Sequence, residues 1–415
     1  MTATDHKPKP QTGPLAGLRI VEFGHFIAAP FCTRLLADLG AEVIKVEGPE
    51  GDPVRAWGAQ HQGRSVWWSV HGRNKKSVTL NLKDPAARDI ALALVAKSDA
   101  VVENFRPGLM ERFGLAPEAM AKARPGCILA RISGYGQTGP DRMMPAFGVI
   151  GEAKGGIRHL TGYPKDVTDL PPVRTGVALA DSLAGLYAAF GVLAALYERR
   201  ENLPGTPVRI IDVALTESVF SFLEGIIPEY GFTGAVRQPA GSYIPTAAPT
   251  NAYRSREGAW VLIAANSDPL FSRLAVAMER PDLLENPDYA DNKARVAHVT
   301  ALDAEIAAWT ERLAAAEIFG RLEAAGIPCS KIYDIADIAA DRQYRAREAL
   351  RQVFDPQFGR EMLHPAPMPR FDDTAPGGDI FWPGPPIGAH NEQVYGELLG
   401  LNPETLAEMK GKGVI

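Results

Sequence analysis

The chain reads as an α/β protein, a doubly wound parallel sheet joined to a smaller α+β section. Two observations carry that reading. From Leu18 to Ile132, short apolar runs of strand length alternate with runs of helix length, the pattern that covers both faces of a parallel sheet with helices. Beyond about residue 226 the alternation stops, and a long loop, one strand and several successive helices follow.

The elements are justified in chain order. Residues 1–13 are polar and Pro-rich, without an apolar signal core, and read as a flexible tail. Leu18–Phe23 is the first expected strand, residues 24–29 a turn, and Pro30–Leu39 a helix that Gly40 closes as its C-terminal cap. Ala41–Glu47 is the second strand, so the opening is a β-α-β unit with parallel strands and a right-handed crossover. Ser77–Leu82, Ala100–Glu103, Cys127–Ile132 and Arg209–Leu215 are further strands. Helices are expected from Pro85 to about Ser98, over Pro107–Phe113 and from Glu217 to about Ile227. Residues 228–250 read as a loop, Trp260–Ala264 as a strand, and Pro269–Met278, Asn292–Trp309 and Ala314–Ala325 as helices. Residues 331–350 read as helical. The Pro- and Gly-rich stretch from Pro365 to Pro386 reads as a segment draped over another surface, before a last short helix, Asn391–Leu399.

With 415 residues the chain is long enough for two domains and a large core. A net charge of −5 argues against bulk binding of nucleic acid, so any anion site must come from local basic residues. The three cysteines, Cys32, Cys127 and Cys329, are far apart and odd in number, which fits a reducing compartment. No CxxC or HExxH spacing is present, so no metal site is expected. The longest apolar run, Ser182–Tyr197, is shorter than the roughly 20 residues of a membrane span. Together these point to a cytoplasmic protein that does not enter a membrane.

That apolar run is headed by one carboxylate, Asp181. An acid beside so apolar a segment needs a reason, because a buried unpaired carboxylate is costly. One reason is helix capping, which aspartate does well. The other is a nucleophilic carboxylate kept ionised by the positive end of a helix. Both readings stay open on the residues alone. Gly185 and Gly191 within the run would let another backbone approach closely.

The turns after the strands carry the remaining candidates. The first turn, Gly24-His25-Phe26-Ile27-Ala28-Ala29-Pro30, lacks GxGxxG, which counts against a nicotinamide enzyme. Asn104-Phe105-Arg106-Pro107-Gly108 with Arg112, and Ser133-Gly134-Tyr135-Gly136, end neighbouring strands. Arginines for phosphate and aromatics for a planar ring suit an adenine nucleotide there. Lys75, Lys76 and Lys83 either join that site or form a solvated basic rim. His25 lies in the first turn, where a ligand is expected. His159 and His390 are loop histidines that could be bases or surface residues. Arg55, Arg174 and Arg237 could bind a dicarboxylate or be surface residues. No GxSxG elbow appears, which disfavours a hydrolase of that type.

Taken in order, the stretches Pro14–Glu22, Leu39–Glu47, Arg73–Ser77, Glu103–Gly108, Gly134–Pro140, Asp181 with Gly185, Asp212–Leu215 and Gly326–Pro328 resemble the class III CoA-transferases, the carnitine and bile-acid inducible type. The resemblance covers nearly the whole chain. It implies a Rossmann-like large domain built from residues 14–225 and a return segment, 331–415, with a smaller α+β domain over 226–330 inserted between them. It also implies an interlocked homodimer in which two chains thread through each other, so that the Pro-rich tail wraps and the monomer is not an independent folded species.

The implied substrates are coenzyme A as an acyl-CoA donor and a carboxylic acid acceptor, with no tightly bound cofactor. The implied catalytic residue is Asp181, through mixed-anhydride and aspartyl-CoA thioester intermediates. By position, coenzyme A contacts fall on His25, Ile27 and Ala28; on Leu80, Asn81, Leu82 and Lys83; on Asn104, Phe105, Arg106 and Arg112; and on Ser133, Gly134 and Tyr135. Two departures bear on the acid. Some members carry a glycine run in the small domain, where this chain has Pro239-Ala240-Gly241-Ser242-Tyr243, and some carry a polar residue where Ile27 stands. Two rivals stand beside transfer. An acyl-CoA racemase of the same fold uses a Gly-His-Asp segment, but the corresponding stretch here, Pro145–Glu152, holds no histidine. A non-catalytic CoA-binding protein is the other, against which an intact Asp181 argues.

Overall fold

The computed structural model describes residues 11–199, 206–372 and 376–415. Most of the expected flexible tail, residues 1–10, lies outside the described residues. Its last residues are held: Gln11 Nε2 donates to the carbonyls of Ala41 and Asn74 at 3.3 and 3.0 Å. The chain divides into two compact units. One comprises the residues up to Arg158, Thr175–Glu229 and Ala346–Ile415; the other comprises His159–Arg174 and Tyr230–Arg345.

The first unit is built on six parallel strands: β1 (Arg19–Glu22), β2 (Glu42–Glu47), β3 (Lys75–Thr79), β4 (Ala100–Glu103), β5 (Ile128–Ser133) and β6 (Arg209–Ala214). Their order across the sheet is β3-β2-β1-β4-β5-β6. Val21 pairs with Ile44 on one side and Val101 on the other. The inner strands are apolar at successive positions, as strands covered on both faces must be. The strand order reverses between β1 and β4, so the loops after these two strands open onto a crevice at their carboxyl ends.

The helix α1 (Ala28–Asp38) follows β1, and α2 (Ala87–Ala96) precedes β4. Between β5 and β6 lie α3 (Gly148–Lys154) and α4 (Leu179–Glu198); α5 (Leu215–Phe220) follows β6. Ala180, Ala184, Ala188, Ala189 and Val192 of α4 join Ala28, Ala29, Cys32 and Leu36 of α1 in one core. The apolar run is thus a helix of 20 residues, longer than expected, and by length and composition alone it could cross a membrane. One face of it is buried in the sheet core. The opposite side is not: Phe190 is 69% and Tyr197 is 93% exposed in the single chain.

Several elements differ from expectation. The helix expected over Glu217–Ile227 ends at Phe220, a turn in which Glu224 takes a left-handed φ of 50° follows, and a second helix, Ile226–Thr233, runs into the expected loop. Asn292–Trp309 is two helices, because His298 takes non-helical angles between Ala297 and Val299. A hairpin of Leu350–Asp355 and Arg360–Pro365 occupies a stretch where no element was expected, and a closing helix, Pro403–Gly411, follows the expected last one.

The Pro-rich tail drapes over its own unit. β3 is an edge strand, and such edges need cover. Ser77 N–H donates to His390 Nδ1 at 3.1 Å, Thr79 N–H to Asn391 Oδ1 at 2.9 Å, and Trp68 Nε1 to the Pro385 carbonyl at 2.7 Å. His390 therefore caps a sheet edge and is not placed as a base. The hairpin is held to the same region by Ser69 Oγ, which donates to Asp355 Oδ2 at 2.5 Å beside His364.

The second unit has a three-stranded antiparallel sheet of Thr250–Arg254, Trp260–Ala264 and Cys329–Lys331. Helices Asp268–Ala277, Val299–Thr310 and Ala315–Ala324 contribute to a core with Tyr253, Val261 and Ile263. The stretch Pro239–Tyr243 belongs to this unit, with Gly241 at φ 71° against the Tyr163 ring.

Candidate active site

The turn after β1 is fixed from four directions. Asn104, after β4, accepts the His25 N–H through Oδ1 and donates to the His25 carbonyl through Nδ2, both at 2.8 Å. Gly24 must be glycine, since Ala29 Cβ and Asn104 Oδ1 fill the space a side chain would take. Phe26 sits at a left-handed φ of 63°, and its N–H donates to Asp52 Oδ1 at 3.1 Å. Below, Lys45 Nζ donates to the Gly24 carbonyl and Lys75 Nζ to the Pro30 carbonyl, each at 2.8 Å.

The two lysines are themselves held by Glu22. Its Oε1 lies 2.7 Å from Lys45 Nζ and its Oε2 2.8 Å from Lys75 Nζ, with all three side chains fully buried. Thr33 Oγ1 donates to Glu22 Oε2 at 2.5 Å, and Lys45 also pairs with Asp52 at 2.7 Å. Burial alone would raise the Glu22 carboxyl, but Lys45 and Lys75 overcome it and hold it at about 2. Burial also opposes the charge on Lys45, yet Asp52 and Glu22 push its ammonium above the usual lysine value. Burial, with Lys45 second, lowers the His25 imidazole, which favours its neutral form.

This network corrects the reading of the lysines. Lys75 is buried against Glu22, and Lys76 pairs with Glu42 at 2.6 Å, so neither forms a solvated rim or a free anion site. Arg55 is likewise engaged: it makes two 2.7 Å bonds to Glu47 and stacks 3.6 Å over the Trp68 ring. His159 Nε2 lies 3.0 Å from the Arg237 carbonyl, within the second unit.

At the carboxyl ends of β1 to β4 lies a cavity of about 340 Å³. It gathers six of the expected coenzyme A contacts: His25, Leu80, Asn81, Leu82, Lys83 and Phe105. The other expected contacts fall into three groups. The side chains of Ile27 and Ala28 are buried at the start of α1, Ile27 among Val54 and Trp68. Asn104 clamps the turn, and Arg106 and Arg112 are exposed on the chain that follows β4. Ser133, Gly134 and Tyr135 sit at the end of β5, where Lys154 Nζ lies 4.9 Å over the Tyr135 ring and Gly134 abuts Ala146.

Asp181 is the third residue of α4, half-buried in its first turn. The N-cap is Ala178, which makes no side-chain cap bond, so Asp181 is not the helix cap. A carboxylate in the first turn is favoured by the helix dipole. Its Oδ2 lies where a Cβ on Gly148 would begin. Gly185, a turn further on, lets α4 sit on the first turn of α1: a Cβ there would come within 2.6 Å of the Ala28 carbonyl oxygen. Phe147, beside Gly148, lies 6.0 Å from the Phe26 ring, which lies 5.9 Å from His25. Asp181 and the β1 turn therefore share one neighbourhood.

Sequence reasoning missed Glu22, Lys45 and Asp52 as organisers of that turn. A signal existed for the first two, since each is a charge set directly beside the buried apolar residues of a strand covered on both faces. Gly148 offered none. Among the described residues, no group of three His, Cys, Asp or Glu side chains is placed to hold a metal ion.

A Rossmann-type parallel sheet with a cavity at its switch point and a carboxylate beside the first turn defines an α/β ligand-binding enzyme scaffold. The chain belongs to CoA-transferase family III, whose description matches residues 15–391. It is 43% identical over 404 residues to succinyl-CoA–D-citramalate CoA-transferase of Chloroflexus aurantiacus, covering 97% of this chain and 98% of that one. It is 40% identical to the beta subunit of succinyl-CoA–L-malate CoA-transferase from the same organism, again over 97% and 98% of the two chains. A crystal structure of a CaiB/BaiF family protein from Brucella suis superposes with a TM-score of 0.79 at 31% identity, over 94% of this chain and all of that one. The protein is accordingly an enzyme of the CoA-transferase class.

Proposed function

We propose that Asp181 is the nucleophile that carries coenzyme A from an acyl-CoA donor to a carboxylic acid. A carboxylate oxygen of Asp181 adds to the thioester carbonyl. The C–S bond breaks, leaving an acyl-aspartyl mixed anhydride and free CoA thiolate. The thiolate then attacks the aspartyl carbonyl, the anhydride C–O bond breaks, and the donor acid departs as carboxylate. The acceptor carboxylate runs both steps in reverse and leaves as its CoA ester, restoring Asp181. No proton is gained or lost overall. An anhydride keeps the activation of the thioester so long as water is kept away.

The observation that carries this reading is the position of the Asp181 carboxylate, in a helix first turn beside the clamped β1 turn and against a glycine. We place the coenzyme A moiety in the cavity lined by His25, Leu80–Lys83 and Phe105, with Arg106 and Arg112 as phosphate partners. The backbone of Ile27 and Ala28 and the 133–135 turn lie nearer the acyl end. The relatives support succinyl-CoA as donor and a hydroxylated dicarboxylate as acceptor.

The homodimer belongs to the same proposal. The exposed apolar side of α4, with Phe190 and Tyr197, is the kind of surface a second chain would cover. We read the second unit as the inserted small domain, Ala346–Ile415 as the return segment in place of the 331–415 expected from sequence, and the cytoplasm as the place of action.

The test is chemical. With acyl-CoA and hydroxylamine, the wild-type protein is expected to gain a hydroxamate on Asp181, read by peptide mass. Asp181→Ala is expected to lose at least about a thousandfold in turnover, the scale of removing a nucleophile. Near-normal transfer by that variant would remove Asp181 from the mechanism. A screen of acceptor acids with succinyl-CoA and acetyl-CoA donors identifies the substrates.

A further inference from the structure

We infer that Gly148 is a positioning residue that sets where the Asp181 carboxylate stands, and that the absence of a side chain there is required for transfer. This rests on the reading of Asp181 as nucleophile. Gly148 and Gly151 on α3 and Gly155 at its C-cap recur at helical spacing and present one bare face. Each makes a different close approach. A Cβ on Gly151 would come within 2.9 Å of Ala180 Cβ and of Leu215 Cβ, and one on Gly155 within 2.5 Å of Val219 Cβ. A Cβ on Gly148 would meet the carboxylate of Asp181 itself.

Gly151 and Gly155 therefore seat α3 against the neighbouring helices. Gly148 leaves the volume in which the carboxylate lies. The nearest atom to that missing Cβ is the end of a rotatable side chain, not backbone, so a methyl group would turn the carboxylate aside and leave the helices seated. A displacement of that size at a reacting atom removes the alignment that makes attack fast.

Gly148→Ala is the test, with Gly155→Ala as the packing control. Gly148→Ala is expected to lower kcat at least about a hundredfold, with the KM for acyl-CoA changed less than about threefold and the hydroxamate yield on Asp181 reduced in step. Gly155→Ala is expected to lower the melting temperature while kcat stays within about threefold of wild type. A Gly148→Ala enzyme with kcat within threefold of wild type would overturn the inference while leaving Asp181 labelled in wild type. Absent labelling together with an active Asp181→Ala enzyme would instead overturn the nucleophile. If Gly148→Ala does not fold, it is made again in the Asp181→Ala background. Recovery of folding there supports the clash with the carboxylate, and failure in both backgrounds overturns it.

Discussion

Lys45 Nζ lies 2.7 Å from Glu22 Oε1, and neither side chain is exposed to solvent. The pair stands directly beneath the turn that carries His25, because the same ammonium donates to the Gly24 carbonyl. Removing one partner of a buried pair leaves the other without its counter-charge. Lys45→Met is expected to destabilise the protein by about 3–5 kcal/mol, read by denaturant unfolding. A loss under about 1 kcal/mol would mean that Asp52 and Lys75 hold the turn without it.

Glu22 also sets an acid limit. Its carboxyl moves from 4.5 to about 2 on folding, so the folded form binds the proton more weakly than the unfolded one. The stabilisation is complete above about pH 4.5 and is lost as pH falls toward 2. Urea midpoints measured from pH 6 down to pH 2.5 should fall across that window, and Glu22→Gln should flatten the slope. An unchanged slope in that variant would assign the acid sensitivity elsewhere.

Asn104 shows how one side chain can fix a turn. Both ends of its amide are bonded to the backbone of His25. Asn104→Ala is expected to cost about 1–3 kcal/mol of stability, the range for leaving buried polar groups unpaired. Steady-state kinetics should show the KM for acyl-CoA rising more than kcat falls, since the cavity wall loosens while Asp181 remains on α4. A fall in kcat alone would place Asn104 closer to the chemistry.

What the sequence made legible follows physical range. The β1-α1-β2 unit, the cap at Gly40 and the close approach at Gly185 were readable because propensity, turn chemistry and periodicity act within a few residues. Lys75 was not, because its partner Glu22 stands 53 residues earlier and a lysine pair after a turn looks like a wet rim. The role of His390 stayed open for the same reason: its partner, Ser77, is 313 residues away. The turn between Phe220 and Ile226 was missed because Glu224 takes a left-handed conformation there that glutamate rarely adopts. Asp181 was found from its contrast with an apolar run, but Gly148, its neighbour in space, has no side chain to leave a pattern.

Phe190 and Tyr197 lie on the exposed side of α4, 69% and 93% open in the single chain. A protein seldom leaves such a surface wet when a partner copy is at hand. Sedimentation equilibrium is expected to give the mass of two chains. Phe190→Arg should lower the yield of that dimer, and a wild-type mass of one chain would end the dimer proposal.

Gly185 is the last case, and its argument differs from that of Gly148. A Cβ at 185 would come within 2.6 Å of the Ala28 carbonyl oxygen and 3.1 Å of the Cys32 amide nitrogen. Those atoms are backbone of α1 and cannot rotate away. Gly185→Ala must therefore push α4 from α1, against a core of Ala28, Cys32, Ala184 and Ala188 that is otherwise closed. Overpacking of this kind costs about 1–3 kcal/mol, and helix propensity returns at most about 1 kcal/mol of it. Because Asp181 lies one turn earlier on the same helix, the shift should also lower kcat, unlike an equal destabilisation placed in the second unit. Thermal unfolding and transfer rates on Gly185→Ala and on a second-unit variant such as Leu302→Ala separate the two effects. Equal kcat in both would show that the seat of α4 on α1 serves stability alone.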